Sequence, residues 1–161
     1  MKPLDYLNAL ADKRKAEKHP GLPAHARVKS SYTDKSANEL STAIIACIDL
    51  HDGYAVRINT QGQYNEKLGR RTFSTTRRGT ADIHACMLGR HLSIEVKYGR
   101  DTLSGEQRET GIDVEKAQGL YFVARTYDAF WLWFQMQFPA TRVPLIPQLA
   151  TPDPSKIPHR A

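Results

Sequence analysis

Residues 82–97 constrain the fold more than any other stretch of the chain. They read Asp-Ile-His-Ala-Cys-Met-Leu-Gly-Arg-His-Leu-Ser-Ile-Glu-Val-Lys. A two-residue turn at Gly89-Arg90 would set Leu88 opposite His91 and make the segment an antiparallel ribbon. That register pairs Cys86 with Ser93, His84 with Glu95 and Asp82 with Lys97. Side chains alternate across a strand, so one face carries Asp82, His84, Cys86, Ser93, Glu95 and Lys97. The other carries Ile83, Ala85, Met87, Leu92, Ile94 and Val96. The separation of polar from apolar residues is complete, and a slip of one residue would destroy it.

The flanking segments supply what such a ribbon packs against. Residues 3–18 read as a basic helix with Leu4, Leu7, Leu10 and Ala11 on one side, and His19-Pro20-Gly21-Leu22-Pro23 breaks it. The spacing of Leu40, Ala43, Ile44, Cys47 and Ile48 predicts a second helix from about Ala37 to His51, with Ser36 as N-cap. Residues 54–59 form a strand, and the connection 60–79 is long and poor in apolar residues, which is uncommon unless it is functional or mobile. Ser104 opens a helix to about Gln118, where Gly119 can supply a left-handed cap. Leu120 to Arg125 is a short apolar strand, and Asp128 to Phe138 an aromatic-rich helix. The order predicts a mixed α/β domain, a short sheet with helices packed on it. A basic arm over 1–35 and a proline-rich tail over 139–161 would flank a domain over 36–138.

Composition narrows the classes. The 161 residues carry a formal net charge of +6, which favours a polyanionic partner. Lys67, Arg70, Arg71, Arg77 and Arg78 crowd the long connection, and Lys13, Arg14, Lys15 and Lys18 form a second cluster. A solvated face is the commoner fate of such runs, but the loop cluster leads directly into the polar ribbon. Mean hydropathy of -0.53, no long apolar run and no signal-like N-terminus point away from a membrane and toward the cytoplasm. The two cysteines, Cys47 and Cys86, sit in apolar-periodic segments without a CxxC or Cys/His cluster, as buried thiols in a reducing compartment do.

Two carboxylates and an ammonium on one sheet face are a chemical arrangement. Close carboxylates repel, and a divalent cation relieves that by taking an oxygen from each. Mg²⁺ prefers one or two carboxylates, with water and phosphate completing its octahedron. It polarises a phosphoryl oxygen and lowers the pKa of bound water, while Lys97 can stabilise the added negative charge.

Gly79-Thr80-Ala81-Asp82, twelve further residues and then Glu95-Val96-Lys97 resemble the PD-(D/E)xK nuclease signature. Tyr54-Ala55-Val56-Arg57-Ile58-Asn59 and Leu103-Ser104-Gly105-Glu106-Gln107 make the chain similar to the VRR-NUC branch, over roughly residues 36–134. The resemblance implies a restriction-endonuclease-like core and an endonuclease dependent on Mg²⁺ or Mn²⁺. Asp82 and Glu95 would be metal ligands, with Lys97 catalytic. Glu39 matches a family glutamate that often joins the metal, and Gln107 a glutamine typical of the site. Ala81 departs from the usual proline, which supplies no ligand. DNA backbone contacts would come from Arg57, Lys67, Arg70, Arg71, Arg77 and Arg78. A branched or junction substrate and a homodimer are further implications. An inactive nucleic-acid-binding module and a nuclease acting on RNA are the alternatives.

Each residue also has a plainer reading. Asp82 and Lys97 could be an exposed cross-strand ion pair worth about 0–1 kcal/mol. Ser36 to Glu39 and Ser104 to Gln107 both spell capping boxes. A lone histidine such as His84 is more often a structural hydrogen-bonder, Cys86 reads as packing, and Trp131, Trp133 and Phe134 read as core.

Overall fold

The computed structural model of the chain describes residues 1–58, 64–66, 69–71 and 76–139, with 64–65 and 70–71 described by backbone alone. Helix α1 spans Pro3–Lys18 and α2 Ala37–Leu50. Strand β1 is Tyr54–Arg57, β2 Tyr64–Asn65, β3 Arg70–Arg71, β4 Ile83–Met87 and β5 Arg90–Val96. Helix α3 (Gly105–Lys116), strand β6 (Leu120–Ala124) and helix α4 (Tyr127–Gln137) follow. The result is an α/β protein.

Four strands form one mixed sheet in the order β1-β4-β5-β6, and β2 and β3 form a separate small pair. β1, β4 and β5 are antiparallel neighbours, whereas β6 runs parallel to β5. A parallel neighbour needs a crossover, and α3 provides it. Alternation then sorts the sheet into two faces. Ile83, Ala85, Met87, Leu92, Ile94 and Val96 are all buried on one of them. Leu120, Phe122 and Ala124 join that face beside Leu92, Ile94 and Val96.

Helix α2 covers the apolar face, in contact with β1, β4 and β5. Leu40, Ala43, Ile44, Cys47 and Ile48, spaced to share one side of a helix, are fully buried there. Ser36 caps the helix by accepting the Glu39 amide at 3.2 Å. Phe130, Trp131 and Phe134 of α4 complete the core, and Trp133 stacks on Phe122 with ring centroids 4.6 Å apart.

The ribbon register differs from expectation by one side-chain period. Cys86 pairs with His91 rather than Ser93, and Met87 pairs with Arg90. The turn is Leu88-Gly89, both with positive φ (48° and 75°), the conformation that a twist-matched two-residue hairpin requires. Arg90 is therefore extended and begins β5. Because the slip is two residues, every side chain keeps its face. Continuing the ladder by one pair sets Asp82 beside Glu95, where Lys97 was expected.

The N-terminal helix, expected as an arm, is docked instead. Leu7 is fully buried in the core, and Tyr6 meets Trp131 with centroids 5.1 Å apart. The following segment runs back along α1, where Asn8 Oδ1 accepts the Tyr32 amide at 2.7 Å and Asp12 Oδ1 accepts the Ser30 amide at 2.7 Å. Asp34 then accepts the Tyr127 amide at the start of α4. A second difference concerns the end of α3. Gln118, with φ 66°, is the left-handed residue, not Gly119. Gly119 is small for another reason: an added Cβ would lie 2.8 Å from Val114 Cγ1.

Candidate active site

The polar face of the sheet brings Asp82, Glu95, Lys97 and Gln107 together. Asp82 is delivered by the turn that precedes β4, and that turn is built on Gly79. Gly79 has φ 78°, and an added Cβ would fall 2.4 Å from the Glu106 carbonyl oxygen of α3. Both the backbone conformation and the close approach exclude a side chain there. Asp82 itself is tied into the sheet: its carbonyl accepts the Ile58 amide at 2.8 Å and its Oδ2 accepts the Val96 amide at 2.9 Å.

Glu95 is 1% exposed and Lys97 7%. Lys97 Nζ lies 3.1 Å from Glu95 Oε1 and 3.5 Å from Asp101. The Lys97 amide donates to the Ala124 carbonyl at 2.9 Å. Parallel pairing with β6 thus fixes the lysine backbone. Gln107 makes both the capping contact and a contact to the acid pair. Its Oε1 accepts the Ser104 amide at 3.0 Å, closing a capping box, while its Nε2 donates to Glu95 Oε1. Lys97 and Gln107 both engage Oε1. Glu95 Oε2 is buried with no hydrogen-bond partner.

An unpartnered buried carboxylate oxygen is costly, and the Glu95 carboxyl responds. Burial first, and then the neighbouring Asp82 charge, push its pKa up to about 7, against the opposing pull of Lys97. These residues fit a divalent cation. Two carboxylates lie side by side, one has a free oxygen, and the negative charge between them is incompletely balanced. Among the described residues no group of three or more His, Cys, Asp or Glu side chains is assembled to hold a metal. A cation here would take the rest of its coordination from water and substrate, as Mg²⁺ usually does.

The remaining expected residues are placed as follows. Glu39 lies on α2, the helix of the opposite face. Its carboxylate accepts from the Thr33 hydroxyl at 2.8 Å, and it forms no three-ligand group with Asp82 and Glu95. Arg57 also points to the α2 side, donating to Asn38 Oδ1. Arg77 is paired with Asp113 of α3 at 2.6 Å, and Arg78 is exposed nearby. Lys67 lies outside the described residues, and Arg70 and Arg71 are described only as the backbone of β3. In the N-terminal basic cluster, Arg14 pairs with Asp52 at 2.9 Å and Lys13 with Glu17 at 3.9 Å. These are the exposed pairs of an ordinary helix surface.

Two residues of the polar face, Tyr121 and His91, were not anticipated from the sequence, which placed His84 there by alternation. Tyr121 pairs with Ser93 in the β5–β6 ladder, which sets its side chain on the polar face. Its hydroxyl is buried without a partner. His84 and His91 meet edge to face with centroids 5.2 Å apart, and His91 Nε2 lies 3.0 Å from the buried Ser93 hydroxyl. Burial, and then His91, lower the His84 pKa. The signal for Tyr121 was the alternation within Leu120-Tyr121-Phe122-Val123-Ala124, which a continuous apolar run conceals.

Fold and site together define an α/β protein in which a carboxylate pair, a buried lysine and a glutamine meet at one end of the polar face of the mixed sheet. No protein-family model matches the chain, and no curated protein matches it either.

Proposed function

We propose that the chain is a metal-dependent endodeoxyribonuclease of the PD-(D/E)xK type, with a restriction-endonuclease-like core and VRR-NUC-like motifs. The observation that carries this reading is the convergence of Asp82, Glu95, Lys97 and Gln107 on one sheet face with Glu95 Oε2 left free. The four-stranded mixed sheet with helices packed on it supports the reading, because the resemblance implies a core of short mixed sheet and helices.

Asp82 and Glu95 would hold Mg²⁺ or Mn²⁺, which supplies Lewis-acid polarisation of the phosphodiester and an acidified water. Gln107 restrains the Glu95 carboxylate through Oε1, so that the second oxygen stays available. Lys97, held by Glu95 and Asp101, presents a positive charge to the phosphoryl oxygens as negative charge builds up on them. The neutral amide of Gln107 restrains Glu95 without adding a charge that would oppose the cation. DNA is the proposed polymer. Arg78 and the basic connection would contact its backbone rather than its bases, which favours recognition by shape, such as junctions or flaps. A homodimer would let two such sites cut two strands. An intracellular setting suits free Cys47 and exposed, free Cys86. Among the described residues no helix is long and apolar enough to cross a membrane.

The test is cleavage of labelled duplex, single-stranded, junction and RNA substrates in Mg²⁺ or Mn²⁺, with EDTA as control. Metal-dependent cutting of DNA, lost in Asp82→Asn and Lys97→Ala, is expected. Cutting of RNA alone would reassign the substrate. Binding without cutting would make the chain a nucleic-acid-binding module.

A further inference from the structure

Tyr121 occupies a position that packing alone does not explain. Its ring passes directly beneath α3 at Gly111, where an added Cβ would lie 2.9 Å from the ring. Glycine within a helix costs about 0.5–1 kcal/mol relative to alanine, so the helix is weakened at the residue that lets the ring through. The ring ends in a hydroxyl that is buried and unpartnered. Phenylalanine would fill the same space without that polar cost. The hydroxyl is also close enough to the acid pair to feel it: burial, then Glu95 and Asp82, push its pKa up to about 12. It therefore remains a hydrogen-bond donor at neutral pH.

Register locates the group more closely. Ser93 pairs with His84 on one side and Tyr121 on the other. This row lies one side-chain period, roughly 6.6 Å along the strands, from the row of Asp82 and Glu95. His84 Nε2, in the same row, is a second buried atom without a partner. A further period along the ladder lies His91, which lines a cleft of about 360 Å³ with Arg77, Thr110 and Gly119. Tyr121 thus stands between the acid pair and a surface cleft with an arginine on its wall.

We propose that Tyr121 is a substrate-positioning residue, whose hydroxyl donates a hydrogen bond to a non-bridging oxygen of the phosphodiester at the Asp82/Glu95 site. The inference rests on the nuclease reading. A phosphate oxygen is the acceptor that a buried neutral donor beside two carboxylates can serve without adding charge. It satisfies a group that the protein alone leaves unsatisfied, and Gly111 keeps the ring in place to do so.

The experiment is Tyr121→Phe, with three measurements. In EDTA the variant should melt at the same temperature as the wild type or higher, because it loses a buried hydroxyl that bonds nothing. A lower melting temperature would show a structural hydroxyl and overturn the proposal. In Mg²⁺, kcat/KM on a labelled oligonucleotide should fall about tenfold, mainly through KM, as for a hydrogen bond to a charged group made before and during reaction. Unchanged kcat/KM in an active wild type would overturn Tyr121 and leave the nuclease reading intact. The third measurement holds even if the wild type cuts nothing, which would sink the nuclease reading itself. On an Asp82→Asn background, Tyr121→Phe should weaken binding of the same oligonucleotide about tenfold and leave the slope of log affinity against log salt unchanged. A neutral donor releases no counterion. Equal affinities on that background would also overturn the proposal.

Discussion

Glu95→Gln should make the metal-free protein gain stability relative to the wild type as pH rises. Burial and the Asp82 charge raise the Glu95 pKa in the folded protein from 4.5 to about 7. A carboxyl raised in this way binds a proton more tightly in the folded than in the unfolded chain. Its contribution is therefore fully present below pH 4.5 and is lost as pH climbs through 7. One pKa unit corresponds to about 1.36 kcal/mol, so the separation of roughly 2.5 amounts to about 3 kcal/mol. Glutamine keeps the shape and cannot titrate. Groups that do not interact with Glu95 titrate alike in both proteins and cancel in the difference. Urea unfolding in EDTA at pH 4.5, 6, 7 and 8 reads that difference directly. It should move by about 3 kcal/mol in favour of the variant between the ends of the series. A difference constant to within about 0.5 kcal/mol would refute the reasoning, since Glu95 would then be an ordinary carboxylate. Mn²⁺ should reverse the order at pH 8. A ligand at a thousand times its Kd stabilises the protein that binds it by about 4.1 kcal/mol, more than the roughly 3 kcal/mol that favours the variant, and only the wild type retains both carboxylates.

Asp82→Asn and Lys97→Ala should each abolish metal-dependent cleavage while circular dichroism shows a folded protein; loss of folding would assign these residues a structural role. Asp113→Asn frees Arg77 from its 2.6 Å partner, so DNA should bind a few-fold tighter at low salt with a steeper salt slope, by about one; an unchanged slope would remove Arg77 from the interface. Leu7→Ala should cost about 2–5 kcal/mol by denaturant unfolding, as for a fully buried leucine. A cost below about 1 kcal/mol would detach α1 from the core. Gly79→Ala combines a positive φ with a clash against Glu106 and should lower both stability and cleavage, the latter because the turn that delivers Asp82 must move.

Much of this architecture was legible in the sequence because alternation is a local signal. The two faces of residues 82–97 could be assigned without any partner, and the helix over α2 followed from the spacing of Leu40, Ile44, Cys47 and Ile48. Register was not legible to the same degree. A slip of two residues preserves every face, so the pattern could not choose between a turn at Gly89-Arg90 and one at Leu88-Gly89. The positive φ of Leu88 (48°) runs against its side chain, and only the assembled sheet imposes it. The docking of α1 was hidden for a related reason. Leu7 and Ala11 are the only buried residues of a largely basic helix, and the side chains of Asn8, Asp12 and Asp34 that hold the following segment look like surface residues. Gln107 was read as a cap or a site residue, whereas its two amide atoms allow both at once. Alternation within residues 120–124 gives the face of Tyr121, but its place beside Ser93 comes from parallel pairing between residues far apart in sequence, which no local pattern reports.

A nuclease of the proposed kind requires that Asp82 and Glu95 hold one divalent cation between them. Titration of Mn²⁺ into the purified protein at pH 8, followed by the loss of the free-ion paramagnetic resonance signal, measures this without any substrate. Saturable binding to the wild type, weakened at least tenfold in both Asp82→Asn and Glu95→Gln, is the predicted result. Binding of equal strength in all three proteins, or none in the wild type, would contradict it.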